Sequence, residues 1–310
     1  MRILAIRYSG LGDVVMLLQT LEKLKNKYEN CHITLLTDKS NISLKDISCG
    51  MIDEVISLDR SVFRKRKYFL SLVEIVKLFP KIRKQFDMTI DFQNFGETAT
   101  LTYFTNAKIK LGSPKKDKYN YGYTEIIKRS DHNHRSKLFS RIAKVNDNLD
   151  YSKLCLNNEA INFKEQLKNQ IDKNKKTIGL NIGSTQDSRR WNENNFSKLN
   201  DILKANYNIL IFIGPCEKAY KYAFKEDSFF IEDINLIKLS GAISICDCFI
   251  SNDTGPVHIA AALQISTLTL FSTGNDFNVG ALSNKKQSIK NVNINKITVN
   301  EVIEKLNNLI

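Results

Sequence analysis

No run of about 18 consecutive apolar residues occurs in this 310-residue sequence, so a transmembrane helix is not expected. The opening stretch MRILAIRYSGLGD has too short an apolar core for a signal peptide and instead predicts a first β-strand. Hydrophobic residues make up 42% and charged residues 25% of the chain, which is typical of soluble globular proteins. The chain is long enough for two folded domains.

Sequence patterns that bind metal ions are also lacking. The six cysteines are scattered without CxxC spacing, and the four histidines form no cluster. Zinc sites usually combine these residue types at short, regular spacings. We therefore expect no bound metal.

Positive charge is concentrated in the first half of the chain. Residues 1–150 contain 27 Lys and Arg against 17 Asp and Glu, a net charge of +10. Residues 151–310 contain 19 against 16, a net charge of +3. This asymmetry indicates that the N-terminal half meets an anionic partner. Nucleic acid, a phospholipid surface and a phosphorylated substrate are all compatible with the charge alone.

Short apolar runs alternate with helical patterns along most of the chain. Strands are predicted at 2–7, 32–37, 54–58, 87–92, 177–183, 208–214 and 266–271, and helices at 13–28, 69–84 and 193–206. Such alternation favours parallel sheets joined by crossover helices. We therefore predict an α/β fold with two doubly wound, Rossmann-like domains, whose ligands lie at the carboxyl ends of the strands.

The first strand-to-helix turn, RYSGLGDVV, contains Gly10, Gly12 and Asp13. The two glycines allow a ligand to approach the backbone closely. Asp13, at the predicted start of a helix, is either a helix cap or a catalytic carboxylate. The dinucleotide fingerprint GxGxxG is incomplete because its third glycine is missing. Its absence argues against a nucleotide-dependent oxidoreductase.

Two turns in the second half combine hydroxyl, basic and acidic side chains. GSTQDSRRW supplies the hydroxyls of Ser184 and Thr185 and the charges of Arg189 and Arg190, just ahead of a predicted helix. This combination suits a phosphate, and a solvated loop is the alternative. IGPCEKAY places Glu217 in a first helical turn, where it would either complement the helix dipole or accept ribose hydroxyls.

A third turn, ISNDTGPVHIAAAL, runs from an apolar strand into a helix. Thr254 and Gly255 would present a hydroxyl and backbone amides at a helix N-terminus, which is an anion site by geometry. His258 would either donate to a phosphate oxygen or lie partly buried. Asp253 would orient backbone or ribose rather than contact phosphate. Together the three turns predict a nucleotide-diphosphate site in the C-terminal half.

In their order along the chain these blocks resemble the ADP-heptose lipopolysaccharide heptosyltransferases, glycosyltransferase family nine, which have the GT-B fold. The matching text is ILAIRYSGLGDVVMLLQTLEKLKNKY, DFQN, NIGSTQDSRRWNENNFSKL, IGPCE and ISNDTGPVHIAAALQISTLTLFSTGND, which spans nearly the whole chain. GLGD combined with SNDTGPVHIAAAL is specific, whereas DFQN alone is weak. The resemblance implies two domains facing across a cleft, an acceptor-binding domain at 1–155 and a nucleotide-sugar-binding domain at 156–310.

The resemblance also implies an inverting, metal-independent reaction without a cofactor. Heptose would pass from ADP-heptose to a hydroxyl of the lipopolysaccharide or lipooligosaccharide inner core, on Kdo-lipid A or on a core heptose. Asp13 would be the general base, with Gly10 and Gly12 on the acceptor side. Arg189 would lie near the donor phosphates, Glu217 against the ribose and Ile234 near adenine. The implied donor-binding residues are Ser184, Thr185, Arg189, Glu217, Ile234, Asp253, Thr254, Gly255 and His258.

The basic run DRSVFRKRKYF, residues 59–69, is similar to a family segment that faces the acceptor. There Arg64, Lys65, Arg66 and Lys67 would contact Kdo carboxylates and lipid phosphates, and a solvated charge run is the alternative. The resemblance further implies a cytoplasmic monomer that contacts the inner membrane transiently at its cytoplasmic face and binds no nucleic acid. One departure is Glu97-Thr98, where the family often has a basic residue followed by serine, and it leaves the acceptor open.

Other functions remain as alternatives. A GT-B glycosyltransferase that uses another nucleotide sugar, such as a UDP-linked hexosamine, or a different acceptor would show the same turns. A nucleotide-binding oxidoreductase is disfavoured by the missing glycine. A nucleic-acid-binding protein is disfavoured because no recognisable binding module occurs. A catalytically inactive homologue is disfavoured by the presence of Asp13.

Overall fold

The computed structural model describes residues 1–8, 10–59, 76–83, 86–129, 133–184, 186–273 and 276–310. The chain divides into two compact units, Met1–Asp150 and Tyr151–Ile310. The first unit thus ends at Asp150 rather than at residue 155. Leu154 already belongs to the second unit, because its amide donates to the carbonyl of Ala262.

The first unit alternates strands and helices in chain order. Its strands are β1 (Arg2–Ile6), β2 (His32–Asp38), β3 (Glu54–Leu58), β4 (Met88–Asp91), β5 (Ile109–Gly112) and β6 (Glu125–Ile126). Its helices are α1 (Leu11–Lys27), α2 (Leu44–Ile47), α3 (76–82), α4 (Gly96–Phe104) and α5 (Arg135–Ile142). The strands form one parallel sheet in the order β3-β2-β1-β4-β5-β6.

The second unit repeats this organisation. Its strands are β7 (Thr177–Asn181), β8 (Asn208–Phe212), β9 (Phe230–Ile231), β10 (Cys248–Asn252), β11 (Ser266–Phe271) and β12 (Lys286–Lys290). Its helices are α6 (Asn158–Lys168), α7 (Glu193–Leu203), α8 (Leu236–Ile243), α9 (Gly255–Ala262), α10 (Asp276–Val279) and α11 (Val299–Asn307). The sheet is again parallel, in the order β12-β11-β10-β7-β8-β9.

The central strands are apolar on both faces, as expected for sheets covered by helices on both sides. Residues 3–6 of β1 are fully buried. Helix α1 buries an apolar stripe that includes Leu17, Leu21 and Leu24, spaced three and four residues apart. Lys25 and Lys27 lie in its last turn, where positive charge is favoured. The hydrophobic pattern therefore accounts for the position of α1 on its sheet.

Both sheets have the strand order 3-2-1-4-5-6 of a doubly wound fold, with β7 and β10 in the second unit corresponding to β1 and β4 in the first. The winding direction changes between these central strands. In such folds ligands bind at this switch point, outside the carboxyl ends of the strands. The predicted α/β class with two doubly wound, Rossmann-like domains is confirmed.

Two local predictions need qualification. The helix expected from about Glu217 is a short 3₁₀ helix, Lys218–Ala223, with Glu217 as its N-cap. Of the helix expected at 69–84, residues 60–75 and 84–85 lie outside the described residues, and 76–82 are helical. In the part of the chain that the structure describes, no helix is both long enough and apolar enough to span a membrane.

Candidate functional site

The turn between β1 and α1 places Asp13 beside the switch point of the first sheet. Gly10 has a backbone φ of 82°, a conformation that residues with a Cβ rarely adopt. A Cβ at this position would lie 2.8 Å from Asp13 Oδ2. Gly10 is the N-cap and α1 begins at Leu11, so Asp13 is the third helical residue rather than the cap. The glycine therefore leaves the carboxylate room, and the helix-cap role considered for Asp13 is not observed.

The Asp13 carboxylate accepts hydrogen bonds from two arginines. Arg7 Nη2 donates to Oδ2 and Arg135 Nη1 donates to Oδ1. Arg7, at the end of β1, also donates from Nη1 to the carbonyl of Phe92 at 3.0 Å and lies 5.5 Å from the ring of Phe139. Burial lowers the pKa of Arg7, with Asp13 opposing and Arg135 reinforcing that change. Two cations thus share one carboxylate, and sequence reasoning had identified neither.

The DFQN turn lies at the end of β4, across the switch point from Asp13. Asp91 is fully buried and accepts from the amides of Gln93 at 2.8 Å and Asn94 at 2.9 Å. It also accepts from the hydroxyl of Tyr123 at 2.6 Å. Burial raises the pKa of Asp91, and burial together with Asp91 raises the pKa of Tyr123. This network fixes the backbone that presents the Phe92 carbonyl to Arg7.

The predicted acceptor-side cations, Arg64, Lys65, Arg66 and Lys67, lie outside the described residues. Glu97, where the sequence departs from the family pattern, is exposed in the first turn of α4. A carboxylate is favoured at that end of a helix by the helix dipole. Thr98 accepts from the amide of Phe95 at 3.1 Å and donates to its carbonyl at 3.0 Å. Glu97 and Thr98, which differ from the family pattern, therefore both have a structural role at the start of α4.

In the second unit, the turns after β7 and β10 are held together at the switch point. The Asn181 amide donates to Ser251 Oγ at 2.8 Å and to Thr254 Oγ1 at 3.0 Å. Asn252 donates to the carbonyls of Ile182 and Gly183, both at 3.2 Å. The two turns that carry Ser184 and Thr254 therefore form one rigid edge. The two asparagines had no role assigned from sequence.

Glu217 connects a third turn, after β8, to the same edge. Its Oε1 accepts from the amide of Ser184 at 3.3 Å and lies 3.5 Å from Arg190 Nη2. Arg190 also donates to the Ser184 carbonyl at 2.7 Å and to the Tyr220 hydroxyl at 2.7 Å. Arg190 is thus held in the scaffold through its Nη atoms. Arg189 is half-buried, and the Nε atoms of both arginines are buried without a hydrogen-bond partner among the described residues.

The N-terminus of α9 completes this cluster. Thr254 is the N-cap, Gly255 and Pro256 open the helix, and His258 is buried in its first turn. Pro256 has no N–H, and at the first helical positions none is needed. The helix N-terminus carries a partial positive charge and suits an anion. Asp253 lies half-buried immediately before it.

Two further predicted donor residues, Thr185 and Ile234, are not among the contacts described above. Thr185 lies outside the described residues. Ile234 is half-buried in the loop between β9 and α8, two elements away from the turn that carries Glu217. Among the described residues, no group of three or more His, Cys, Asp or Glu side chains is arranged to hold a metal ion.

Chemically, the second unit offers two complementary surfaces at adjacent strand ends. The N-terminus of α9 and Arg189 suit anionic oxygens, and Glu217 suits hydroxyl donors. The first unit offers one carboxylate, Asp13, between two guanidinium groups. The structure thus brings Gly10 close to Asp13 in the first unit and joins the turns of Ser184, Glu217 and Thr254 in the second.

The sequence is similar to that of heptosyltransferases from other bacteria. Lipopolysaccharide heptosyltransferase 1 of Campylobacter coli is 24% identical over an alignment of 321 residue positions, which covers 96% of this chain and 89% of that protein. Lipooligosaccharide heptosyltransferase 2 of Campylobacter jejuni is 31% identical over 108 residues, which are 31% of this chain and 34% of that protein. The chain is therefore similar to curated heptosyltransferases along nearly its whole length.

The solved structure of the E. coli heptosyltransferase WaaC with ADP superposes with a TM-score of 0.83 at 16% identity and covers 100% of both chains. At this identity the likeness shows the fold. Residues 75–307 match glycosyltransferase family 9 (heptosyltransferase). Since that match covers most of the chain, the protein belongs to glycosyltransferase family 9, the heptosyltransferases, and is a glycosyltransferase.

Proposed function

We propose that this enzyme transfers heptose from ADP-heptose to a hydroxyl of the lipopolysaccharide or lipooligosaccharide inner core, with inversion and without a metal. The observation that carries the proposal is the cluster in the second unit, where the N-terminus of α9, Arg189 and the buried Glu217 lie at adjacent strand ends. A ribose joined to a diphosphate needs both an anion site and an acceptor of hydroxyl hydrogen bonds. The names of the Campylobacter relatives and the ADP-bound WaaC agree with such a donor.

Glu217 is the residue proposed to bind the ribose. Its Oε1 is engaged by the Ser184 amide, which leaves Oε2 for a ribose hydroxyl. Gly214 keeps the space beside Oε2 open, because a Cβ there would lie 2.7 Å from that oxygen. The diphosphate would lie at the N-terminus of α9, near Thr254 and His258, where helix amides stabilise its charge. These same groups would stabilise the departing ADP.

Asp13 is proposed as the general base. The acceptor hydroxyl attacks the anomeric carbon on the face opposite the diphosphate. The new C–O bond forms as the bond to the diphosphate oxygen breaks, and the hydroxyl proton passes to the carboxylate. One displacement inverts the anomeric configuration. A positioned base of this kind typically contributes about 10²–10⁴-fold in rate.

An exposed aromatic patch in the first unit supports contact with a membrane. We name it the aromatic surface; it comprises the exposed rings of Tyr103, Phe104 and Tyr121, which lie beside the partly buried Phe79. The ring centroid of Phe104 lies 5.5 Å from Phe79 and 5.3 Å from Tyr103, and Tyr103 lies 5.9 Å from Tyr121. Lys110 lies 5.7 Å from the Tyr103 ring. Aromatic rings beside cations suit the headgroup region of an anionic bilayer. This arrangement supports the proposal that the enzyme binds peripherally at the cytoplasmic face of the inner membrane, where a glycolipid acceptor would be met.

The donor is tested by thermal unfolding with ADP, UDP, GDP and NAD at equal concentration. A ligand present at about 100 times its dissociation constant stabilises the folded state by about 2.7 kcal/mol. We expect selective stabilisation by ADP. Selective stabilisation by UDP or GDP would show a different nucleotide sugar, and a response to NAD alone would contradict a glycosyltransferase donor site.

Metal independence is tested by the rate of transfer in excess EDTA. We expect the rate to equal that in the absence of chelator. A loss of activity that Mg²⁺ or Mn²⁺ restores would contradict this part of the proposal. Inversion is tested by the anomeric configuration of the product, determined by NMR.

A further inference from the structure

The arrangement around Asp13 contains more positive charge than one carboxylate can neutralise. Arg7 and Arg135 each donate to a different oxygen of Asp13, so two cations share this carboxylate. A second carboxylate, Asp91, also acts electrostatically on Arg7, whereas in the described part of the chain the ion pairing of Arg135 is confined to Asp13. The two guanidinium groups also repel each other, and this repulsion contributes to the lowered pKa of Arg7. A group of this composition has an affinity for a further anion.

The two arginines are held very differently. The Arg7 side chain is 9% exposed, donates to the Phe92 carbonyl at 3.0 Å and lies over the ring of Phe139. The Arg135 side chain is 40% exposed, and in the described part of the chain its hydrogen bonding is confined to Asp13. Arg7 is therefore fixed by the core of the unit, whereas Arg135 can turn toward solvent by changing its rotamer. An incoming anion would meet Arg135 first.

The Arg135 contact has a consequence for proton transfer. Both oxygens of Asp13 are engaged by guanidinium groups, Oδ2 by Arg7 and Oδ1 by Arg135, so an incoming hydroxyl must compete with a charge-assisted hydrogen bond at either oxygen. Loss of one contact would leave Asp13 oriented by Arg7 and free at Oδ1.

We propose that Arg135 binds an acidic group of the acceptor, a carboxylate or a phosphate, and that this binding draws its guanidinium away from Asp13 Oδ1. The freed oxygen then takes the proton of the acceptor hydroxyl. Arg135 is thus a positioning residue that links recognition of the anionic acceptor to activation of the base. This inference rests on the proposed role of Asp13.

The same link protects the donor when no acceptor is bound. A general base that is free in the absence of acceptor would activate water instead and so hydrolyse the nucleotide sugar. In the resting state Arg135 occupies Oδ1, so activation of water is suppressed. Removal of Arg135 should therefore weaken the use of the acceptor and, at the same time, increase hydrolysis of the donor.

The test compares Arg135→Gln with Arg141→Gln. Arg141 lies on the same helix, has a side chain that is 36% exposed and pairs with a different acid, Asp147. Two rates are measured, transfer from ADP-heptose to Kdo-lipid A and hydrolysis of ADP-heptose without acceptor. For Arg135→Gln we expect the acceptor KM to rise about tenfold, as for loss of one charge-assisted hydrogen bond, and hydrolysis to increase several-fold. Arg141→Gln should change neither value.

A loss of kcat in Arg135→Gln with unchanged acceptor KM and unchanged hydrolysis would overturn the inference, since Arg135 would then only support the local structure. Asp13→Asn separates this result from a failure of the proposed function. If Asp13→Asn retains full transfer activity, the base assignment itself is wrong. If it loses transfer while Arg135→Gln behaves like the parent, only the inference about Arg135 fails.

A binding measurement provides a readout independent of turnover. Modification of Arg135 by phenylglyoxal is followed by mass spectrometry, with Arg141 as the internal reference. We expect an excess of free Kdo or of inorganic phosphate to slow modification of Arg135, and ADP to leave it unchanged. Protection by Kdo alone identifies a carboxylate, and protection by phosphate alone identifies a phosphate. Equal reactivity of Arg135 under all conditions would contradict anion binding.

Discussion

Arg190 Nη2 lies 3.5 Å from Glu217 Oε1, at the point where two turns of the second unit meet. The same carboxylate oxygen accepts from the Ser184 amide, while Arg190 donates to the Ser184 carbonyl at 2.7 Å. The guanidinium also lies 4.8 Å from the ring of Tyr220. Arg190 therefore fixes the turn that carries Ser184 against the turn that carries Glu217.

This geometry predicts different effects for two adjacent arginines. Arg190→Gln should lower the free energy of unfolding by about 1–3 kcal/mol, because it leaves buried partners unpaired. It should also weaken ADP binding. Arg189→Gln should weaken ADP binding by a similar factor and leave the unfolding temperature unchanged. Thermal unfolding and ADP titration calorimetry measure both effects, and the reverse pattern would show that Arg189 is the structural residue.

Replacement of Asp13 by Asn should affect chemistry rather than donor binding. The amide keeps the shape of the side chain but cannot take a proton, so we expect kcat to fall by about 10²–10⁴-fold. The ADP dissociation constant should remain that of the parent. Asp46→Asn, at an exposed carboxylate in α2, is the matched control and should leave kcat unchanged. Parent-like turnover of Asp13→Asn would exclude a role as base.

Gly10→Ala should reduce activity as well as stability. Both Gly10 (φ 82°) and Gly50 (φ 76°) have positive φ, so alanine at either position should cost about 1–2 kcal/mol. At Gly10 the new Cβ would also lie 2.8 Å from Asp13 Oδ2, whereas no other described atom lies within 4 Å of a Cβ at Gly50. We therefore expect Gly50→Ala to retain kcat and Gly10→Ala to lose it. Equal kcat values in the two variants would contradict this account of the turn.

The aromatic surface should contribute to vesicle binding. The combined variant Tyr103→Ser, Phe104→Ser and Tyr121→Ser removes its exposed rings and should weaken sedimentation with phosphatidylglycerol vesicles. Binding to phosphatidylcholine vesicles should be weak for every form, because these vesicles lack the anionic surface near which each Lys or Arg contributes about 1 kcal/mol of binding free energy. Tyr222→Ser, at an exposed tyrosine of the second unit, is the control. If the combined variant binds anionic vesicles as tightly as the control, the aromatic surface does not contact the membrane.

The sequence predicted the features that depend on neighbouring residues. Gly10, Gly12 and Asp13 form one turn, and Thr254, Gly255 and His258 form another, so their local geometry follows from residue order. The parallel sheets followed equally from the alternation of apolar runs and helical patterns. Their strand order, 3-2-1-4-5-6, is the order typical of the doubly wound class that the sequence predicted.

Partners that are distant in sequence were missed. Arg135 reaches Asp13 across 122 residues, and Tyr123 reaches Asp91 across 32, so no spacing pattern signals either pair. Arg189 and Arg190 are neighbours, and their order in the chain does not say which one turns toward Glu217. A functional role for Arg7 could have been suspected from the sequence, because this basic residue follows an apolar strand and lies shortly before Gly10.

The most direct measurement is the reaction itself. Purified enzyme is incubated with ADP-heptose and deacylated Kdo-lipid A in excess EDTA, and the products are identified by mass spectrometry. We expect release of ADP together with an acceptor that has gained one heptose, and formation of both products about 10²–10⁴-fold more slowly with Asp13→Asn. An unchanged acceptor beside rapid consumption of a UDP- or GDP-linked sugar would contradict the proposed donor.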